Sequence, residues 1–323
     1  ERLRFLTIAS TNLDEFFEVR VATLRAQVGY EGARRGPDGL SPTEVLSEIS
    51  RKAHMMVEHQ YKLLNGELLP ALEKSGIAVL PRHRWSKEQR SWAEQYFRQE
   101  VLPVLTPTGL DPGHPFPNVR NMSLNFIVAL EGVDAFGRRD GLAVVPVPRC
   151  LPRLIPMPGS FEHTYVLLSS IIHANVGLLF PGLEVTECHQ FRVTRNSDLW
   201  VDEEAVDDLL HALRGELSTR AYGDAVRLEV ASTCSTELSD FLLEVYDLGA
   251  EDLYRVDGLV NLHRLAALID VVDRADLKFS PLTPQVPDAV AHGKDLFEEI
   301  SQGDTLLHHP YQSFKPVVDF LWQ

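Results

Sequence analysis

An antiparallel helical bundle followed by a mixed α/β domain is the architecture this sequence predicts, a multidomain α and α+β chain. Three observations carry it. Through about residue 102 apolar residues recur at helical spacing between cap-forming residues. Between Leu102 and Pro117 the pattern is broken by Pro103, Pro107, Pro112, Pro115 and Pro117, with Gly109 and Gly113. From Ser123 onward, alternating runs interleave with further helical ones.

The elements follow in order. The opening stretch Arg4–Val21 reads as two helices with a break at Ser10, Thr11 and Asn12. These are cap-forming types, and Asn12 precedes Glu15 by the spacing of a capping box. Beyond the break, Leu13, Phe16, Phe17, Leu24 and Val28 fall on one apolar stripe. A glycine-rich loop carrying Arg34 and Arg35 leads to a strong start signal at Ser41-Pro42 with Glu44. From there a helical stripe runs to about Lys74, where Gly76 serves as the stop and Pro70 should kink or end the helix locally. Its partner is Lys87–Leu102, entered by Ser86 with Gln89, through Trp92, Tyr96, Phe97 and Val101. The bundle is placed at residues 1–105.

The second domain is placed at 106–312. Leu124–Leu130 and Leu142–Val147 read as two strands around a Gly/Arg-rich turn at Gly132–Gly141. Val166–Phe180 reads as a helix, Val185–Thr194 as a strand, Glu203–Thr219 as a helix capped by Asp202, and Val226–Val230 as a strand. Helix Thr236–Tyr246 and a short strand Leu253–Val256 complete the alternation.

Composition bounds the function. The 323 residues, 44% hydrophobic and 24% charged, suit two globular domains. The formal net charge of −15 argues against nucleic acid as a partner and against this chain alone gripping a long polyanion. No apolar run approaches the roughly 20 residues of a membrane span. Cys150, Cys188 and Cys234 stand far apart without a C-x-x-C pair, as isolated thiols do in a reducing compartment. With no leader at the start, the expected location is cytoplasmic, with room for peripheral membrane association. The chain is expected to be a piece cut at both ends.

The chemistry expected within it is sparse. There is no G-x-x-x-x-G-K-[ST] loop, no H-E-x-x-H and no G-x-S-x-G. The arginines Arg149, Arg153, Arg192 and Arg195 are scattered, with no constellation to stabilise a migrating phosphoryl group. His54 and His59, five residues apart, read as solvated or partly buried rather than as a metal pair. His114, beside Asp111 in the proline-fixed connection, reads as structural. His308 and His309 point to opposite sides of an extended segment and read as structural or loosely site-lining. Catalytic and metal-ligating residues are therefore expected to be none. Asn12 stands apart: Asp14 and Glu15 would oppose a phosphate there, but a carboxamide suits the edge of a neutral group such as a nucleobase. The plain alternative is a helix cap.

The run Ser10-Thr11-Asn12-Leu13-Asp14-Glu15-Phe16-Phe17, followed by Val19-Arg20-Val21, resembles a signature near the N-terminus of bacterial polyphosphate kinases of the first type. Thr11 departs from the usual serine or asparagine. Further similar runs follow in the same order: Phe191–Asn196 with Asp198, Tyr222-Gly223-Asp224 with Val226–Glu229, Tyr254–Gly258, Leu277-Lys278 before Pro281, and Asp304–Tyr311 with Ser313-Phe314. The resemblance implies an N-terminal helical domain, a head domain, and at 313–323 the start of a truncated catalytic domain. It further implies that the parent enzyme moves the terminal phosphate of ATP reversibly onto inorganic polyphosphate. That reaction would use magnesium held by the missing half and a phosphohistidine beyond this chain. By the same resemblance Asn12 contacts the nucleotide, and the head domain makes the contacts of a homo-oligomer. Two other readings stay open: a non-catalytic interaction module built on the helical hairpin, and a nucleotide-sensing regulatory domain.

Overall fold

The computed structural model describes residues 1–28, 35–111, 115–133, 139–159, 161, 163–196, 223–290 and 295–322. Helix α1 (Arg2–Glu15) passes through a π-helical turn (Phe16–Val21) directly into α2 (Ala22–Val28). The break expected at Ser10–Asn12 is absent, and with it the Asn12–Glu15 capping pair. One reason is that the Thr11 hydroxyl is satisfied inside the helix. Thr11 Oγ1 donates to Thr7 O at 3.0 Å and Thr7 Oγ1 to Arg4 O at 2.9 Å. Burial of Leu3, Leu6, Leu13 and Phe17 then favours one continuous element.

Helix α3 (Pro42–Leu63) starts with the expected capping box, in which Ser41 Oγ accepts from Glu44 N and Glu44 accepts from Ser41 N at 2.7 Å. It continues through a second π turn (Leu64–Leu68) into α4 (Leu69–Lys74), closed by Gly76 at φ +81°. Pro70 lies in the first turn of α4 and does not stop the helix. The π turn just upstream spans Gly66, whose carbonyl a proline four residues on would crowd in a regular α-helix. Strand β1 (Ile77–Val79) follows, too short to signal itself in the sequence. Helix α5 (Lys87–Tyr96) has the expected Ser86–Gln89 box and ends in a third π turn (Phe97–Val101).

The second region is built on β2 (Thr108–Gly109), β3 (Leu124–Val133), β4 (Arg139–Pro146), β5 (Leu154–Pro156) and β6 (His163–Leu167). It continues with α6 (Leu168–Asn175), β7 (Leu183–Arg195), β8 (Ala225–Ala231), α7 (Thr236–Val245), β9 (Leu253–Val256) and α8 (Ala266–Val271). Among the described residues, β2-β4-β3-β7-β8-β9 form a six-stranded sheet, antiparallel except for the β8–β9 pair. A three-stranded sheet, β1-β6-β5, lies within the same unit. The helix expected from Val166 starts at Leu168, because Val166 and Leu167 are the end of β6, paired with Ile155 and Leu154. The helix expected at 203–219, the turn residue Tyr222 and His114 lie outside the described residues.

Alternation divides the large sheet. Phe191, Val193, Leu228 and Val230 point to one face and pack against Leu238, Leu242 and Tyr246 of α7. Arg192, Thr194, Arg227 and Glu229, all buried, point to the other, toward α1. Residues Arg2–Val272 form one compact unit. Glu1 with Asp273–Gln323 forms another, containing α9 (Leu296–Gln302) and α10 (Lys315–Trp322), with Phe297 against Phe320 at 5.0 Å. Among the described residues no helix is long and apolar enough to cross a membrane.

Candidate functional site

Asn12 lies on the outer face of α1. Its neighbours there are Phe5, Ile8 and Phe16, 61%, 45% and 37% exposed, at helical spacing from it. No described residue donates to or accepts from its carboxamide, so one acceptor and two donors are free for a ligand. The adjacent Thr11 hydroxyl lies 2.7 Å from His263 Nδ1, on a 3₁₀ turn (Leu262–Leu265) that packs along α1. The sequence placed Asn12 at a helix end; the structure places it mid-helix, where the free amides of a terminus do not contribute.

The inner face of the same helix is held by buried ions. Arg192 Nη1 and Nη2 donate to the Asp14 carboxylate at 2.8 and 2.7 Å, and its Nε donates to Glu229. Arg227 donates to Asp14 Oδ1 at 3.1 Å and to Glu229 Oε1 at 2.8 Å. Cross-strand register makes this possible, since Arg192 stands opposite Glu229. Burial opposes the charge on Asp14, but Arg192 and Arg227 outweigh it and hold the carboxyl below its ordinary value. Burial likewise opposes the charge on Arg192, and Glu229 with Asp14 reverses that penalty. Aromatic rings seal the edge: Tyr254 meets Phe17 at 5.6 Å and stacks on His54 at 4.0 Å, while the Arg227 guanidinium lies 4.7 Å over Tyr254. His54 Nε2 lies 3.0 Å from Leu253 O, whereas His59 is exposed.

The arginines of the second region thus sort by environment. Arg192 belongs to this ion latch. Arg195 donates to Gly223 O at 2.8 Å and Val119 O at 3.2 Å, a brace between loops. Arg149 and Arg153 are brought together with Arg264, which no local pattern in the sequence marked. Burial first, then Arg264 and Arg149, pushes Arg153 down to about 10. Burial, Arg149 and Arg192 lower Arg264 as well. Of the four arginines expected to be scattered, Arg149 and Arg153 are thus close enough to influence each other, together with Arg264, which that expectation did not include.

A cleft of about 1220 Å³ opens elsewhere in the unit, lined among others by Arg82, Arg90, His173, Cys188 and His189. Burial and the nearby Arg82 pull His173 down to about 4, and burial pushes Cys188 up to about 12. Both are neutral near pH 7, so Cys188 is a thiol rather than a nucleophilic thiolate. In the other unit, His309 Nδ1 lies 2.8 Å from Gln312 O and His308 N donates to Gln312 Oε1 at 2.8 Å, contacts that shape their own loop. Among the described residues no three of His, Cys, Asp and Glu are grouped to hold a metal ion.

Among the described residues, then, a helical layer is clamped by buried ions onto a mixed sheet and keeps the Asn12 carboxamide on its outer face. The family model described as the polyphosphate kinase N-terminal domain matches residues 1–80, and that of the polyphosphate kinase middle domain matches residues 88–268. The chain belongs to the polyphosphate kinase family. It is 52% identical over 326 residues to a polyphosphate kinase of Pseudomonas putida, covering 100% of this chain and 45% of that protein. It is 51% identical over 324 residues to one from Neisseria gonorrhoeae, covering 99% and 47%. The chain therefore spans about half the length of the curated relatives it matches. The crystal structure of polyphosphate kinase from Porphyromonas gingivalis shares the fold, with a TM-score of 0.76 at 24% identity over 99% of this chain and 44% of that one.

Proposed function

We propose that these residues are the positioning half of an enzyme that reversibly transfers the terminal phosphate of ATP to inorganic polyphosphate. Asn12 contacts the nucleotide base, and the phosphohistidine and the magnesium ligands lie in chain beyond residue 323. The observation that carries this reading is the match of both family models, in chain order, over most of the sequence. The free, outward carboxamide of Asn12, presented on a helix whose other face is clamped to the sheet, supports the nucleotide contact. The helical domain ends near residue 105, the head domain extends to 312, and the head mediates a cytoplasmic homo-oligomer.

The test is steady-state kinetics on the longer enzyme. One neutral hydrogen bond is worth about 0.5–1.5 kcal/mol, so Asn12→Ala should raise KM for ATP roughly two- to tenfold and leave KM for polyphosphate unchanged. Unchanged constants for both substrates would remove Asn12 from the site.

A further inference from the structure

The chain carries a net charge of −15, and many of its guanidinium groups meet a carboxylate: Arg2 with Glu67, Arg25 with Asp252, Arg51 with Glu48, Arg84 with Glu73. Arg149, Arg153 and Arg264 do not. Among the described residues none of the three makes an ion pair, although they come from two separate segments and each of Arg153 and Arg264 feels the charge of Arg149. Arg153 Nη1 is buried with no hydrogen-bond partner, a rare condition for so strong a donor. Arg149 has only the carbonyl of Asn121, at 3.4 Å. Asp14, whose charge acts on Arg264, is shared by Arg192 and Arg227, and Glu18 accepts from Asn121 Nδ2 at 2.6 Å.

The cluster is held in place by backbone. Arg153 O accepts from Leu168 N at 2.9 Å, fixing its loop to the end of β6. Arg264 rides on the 3₁₀ turn whose His263 meets Thr11, one residue from Asn12. Asn121, which holds Arg149, reaches the π turn after α1 through Glu18. Of the three, Arg264 sits on the turn that meets the helix carrying Asn12.

We propose that Arg149, Arg153 and Arg264 form a receptor for a phosphate-type oxyanion. A guanidinium offers a planar fork of donors that matches two oxygens at once. A phosphate group, with three or more tetrahedrally arranged acceptor oxygens, suits three converging forks better than a planar carboxylate with two. Like-charge crowding is the cost of keeping the receptor empty, and the lowered proton affinity of Arg153 and Arg264 is its signature. The proposal rests on the family reading only for the two molecules that would carry the phosphate: the tail of a nucleotide or a chain of inorganic phosphate.

The experiment is calorimetric titration of the 323-residue chain with inorganic tripolyphosphate and, separately, with ATP, alongside thermal melts. Tripolyphosphate should bind and raise Tm. Arg153→Gln and Arg264→Gln should each weaken binding at least tenfold, and the double variant should abolish it. The unliganded variants should melt at or above the wild-type temperature, since each loses a like-charge contact; a purely structural arginine would do the reverse. If ATP displaces tripolyphosphate and Asn12→Ala weakens ATP alone, the site takes a nucleotide tail. If ATP does not compete, it takes the inorganic chain. Should a variant fail to fold, tripolyphosphate protection of Arg153 and Arg264 from phenylglyoxal in the wild-type chain, read by mass spectrometry, gives the same answer. No binding by the wild type, binding unchanged in the double variant, or no protection overturns the proposal. Such a failure leaves the kinase reading intact, because that is judged by phosphate transfer in the longer enzyme.

Discussion

Asp14 faces two guanidinium groups from neighbouring strands, and its carboxylate is the only anion the first helix contributes to the latch among the described residues. Removing one member of a buried ion network leaves the others uncompensated, at a cost of about 3–5 kcal/mol. Asp14→Asn is therefore expected to lower the free energy of unfolding by that amount in urea titrations, although the side chain keeps its shape. The acid limb gives a second readout. Burial disfavours the charged form of Asp14, Arg192 and Arg227 outweigh it, and the folded carboxyl titrates below its ordinary 3.8. The stabilisation is thus present in full above that pH and is lost as pH falls through the folded value. The gap between wild type and Asp14→Asn should be widest near neutrality and narrow below pH 3.8; a gap of under 1 kcal/mol at pH 7 would mean the latch contributes little. In the sequence Asp14 read as a charge that would repel phosphate. Its partner Arg192 lies 178 residues away, so only the fold reveals that its charge is already neutralised.

The helices show which signals are local and which are not. Both Ser41–Glu44 and Ser86–Gln89 form the boxes their spacing promised, because a cap is settled within four residues. Ser10-Thr11-Asn12 has the same chemistry and forms no cap, because Leu6, Leu13 and Phe17 are buried on one continuous helix and that burial outweighs a local end. The three π turns were not legible at all, since the helical apolar stripe runs through each of them without a cap or a breaker at its start. Strands β1, β5 and β6 were missed or misread for a related reason: their pairings join Ile77 to His163 and Leu154 to Leu167. The turn at Phe16–Val21 sets the angle at which α2 presents Arg25 to Asp252, 3.0 Å away. Deleting Val19 would rotate α2 by about 100° and shift it by about 1.5 Å. That deletion should lower Tm by several degrees more than Arg25→Ala, which removes the ion pair alone. Equal losses in scanning calorimetry would show that the turn does not set register.

At the scale of the whole molecule, apolar burial is distributed unevenly along the chain. Strands β3, β7 and β8 carry Phe126, Ile127, Val128, Phe191, Val193, Leu228 and Val230, all fully buried. From Asp273 onward, Val290 and Leu296 are the described apolar residues buried below a tenth, apart from Pro316, while Phe279, Leu306 and Trp322 are 72%, 90% and 85% exposed. The hydrophobic term scales with area removed from water, so the two compact units differ sharply in what resists opening. Amides of β3, β7 and β8 should exchange with deuterium only at the rate of global unfolding. Those of α9 and α10 should exchange by local opening, orders of magnitude faster, and a chain ending at Val272 should keep the melting temperature of the full 323 residues. Protection in α9 equal to that in β7, read by mass spectrometry, would refute the division. If it holds, the ion latch, Asn12 and the arginine cluster all belong to the slowly opening unit, which keeps their geometry fixed while the segment beyond residue 272 opens and closes.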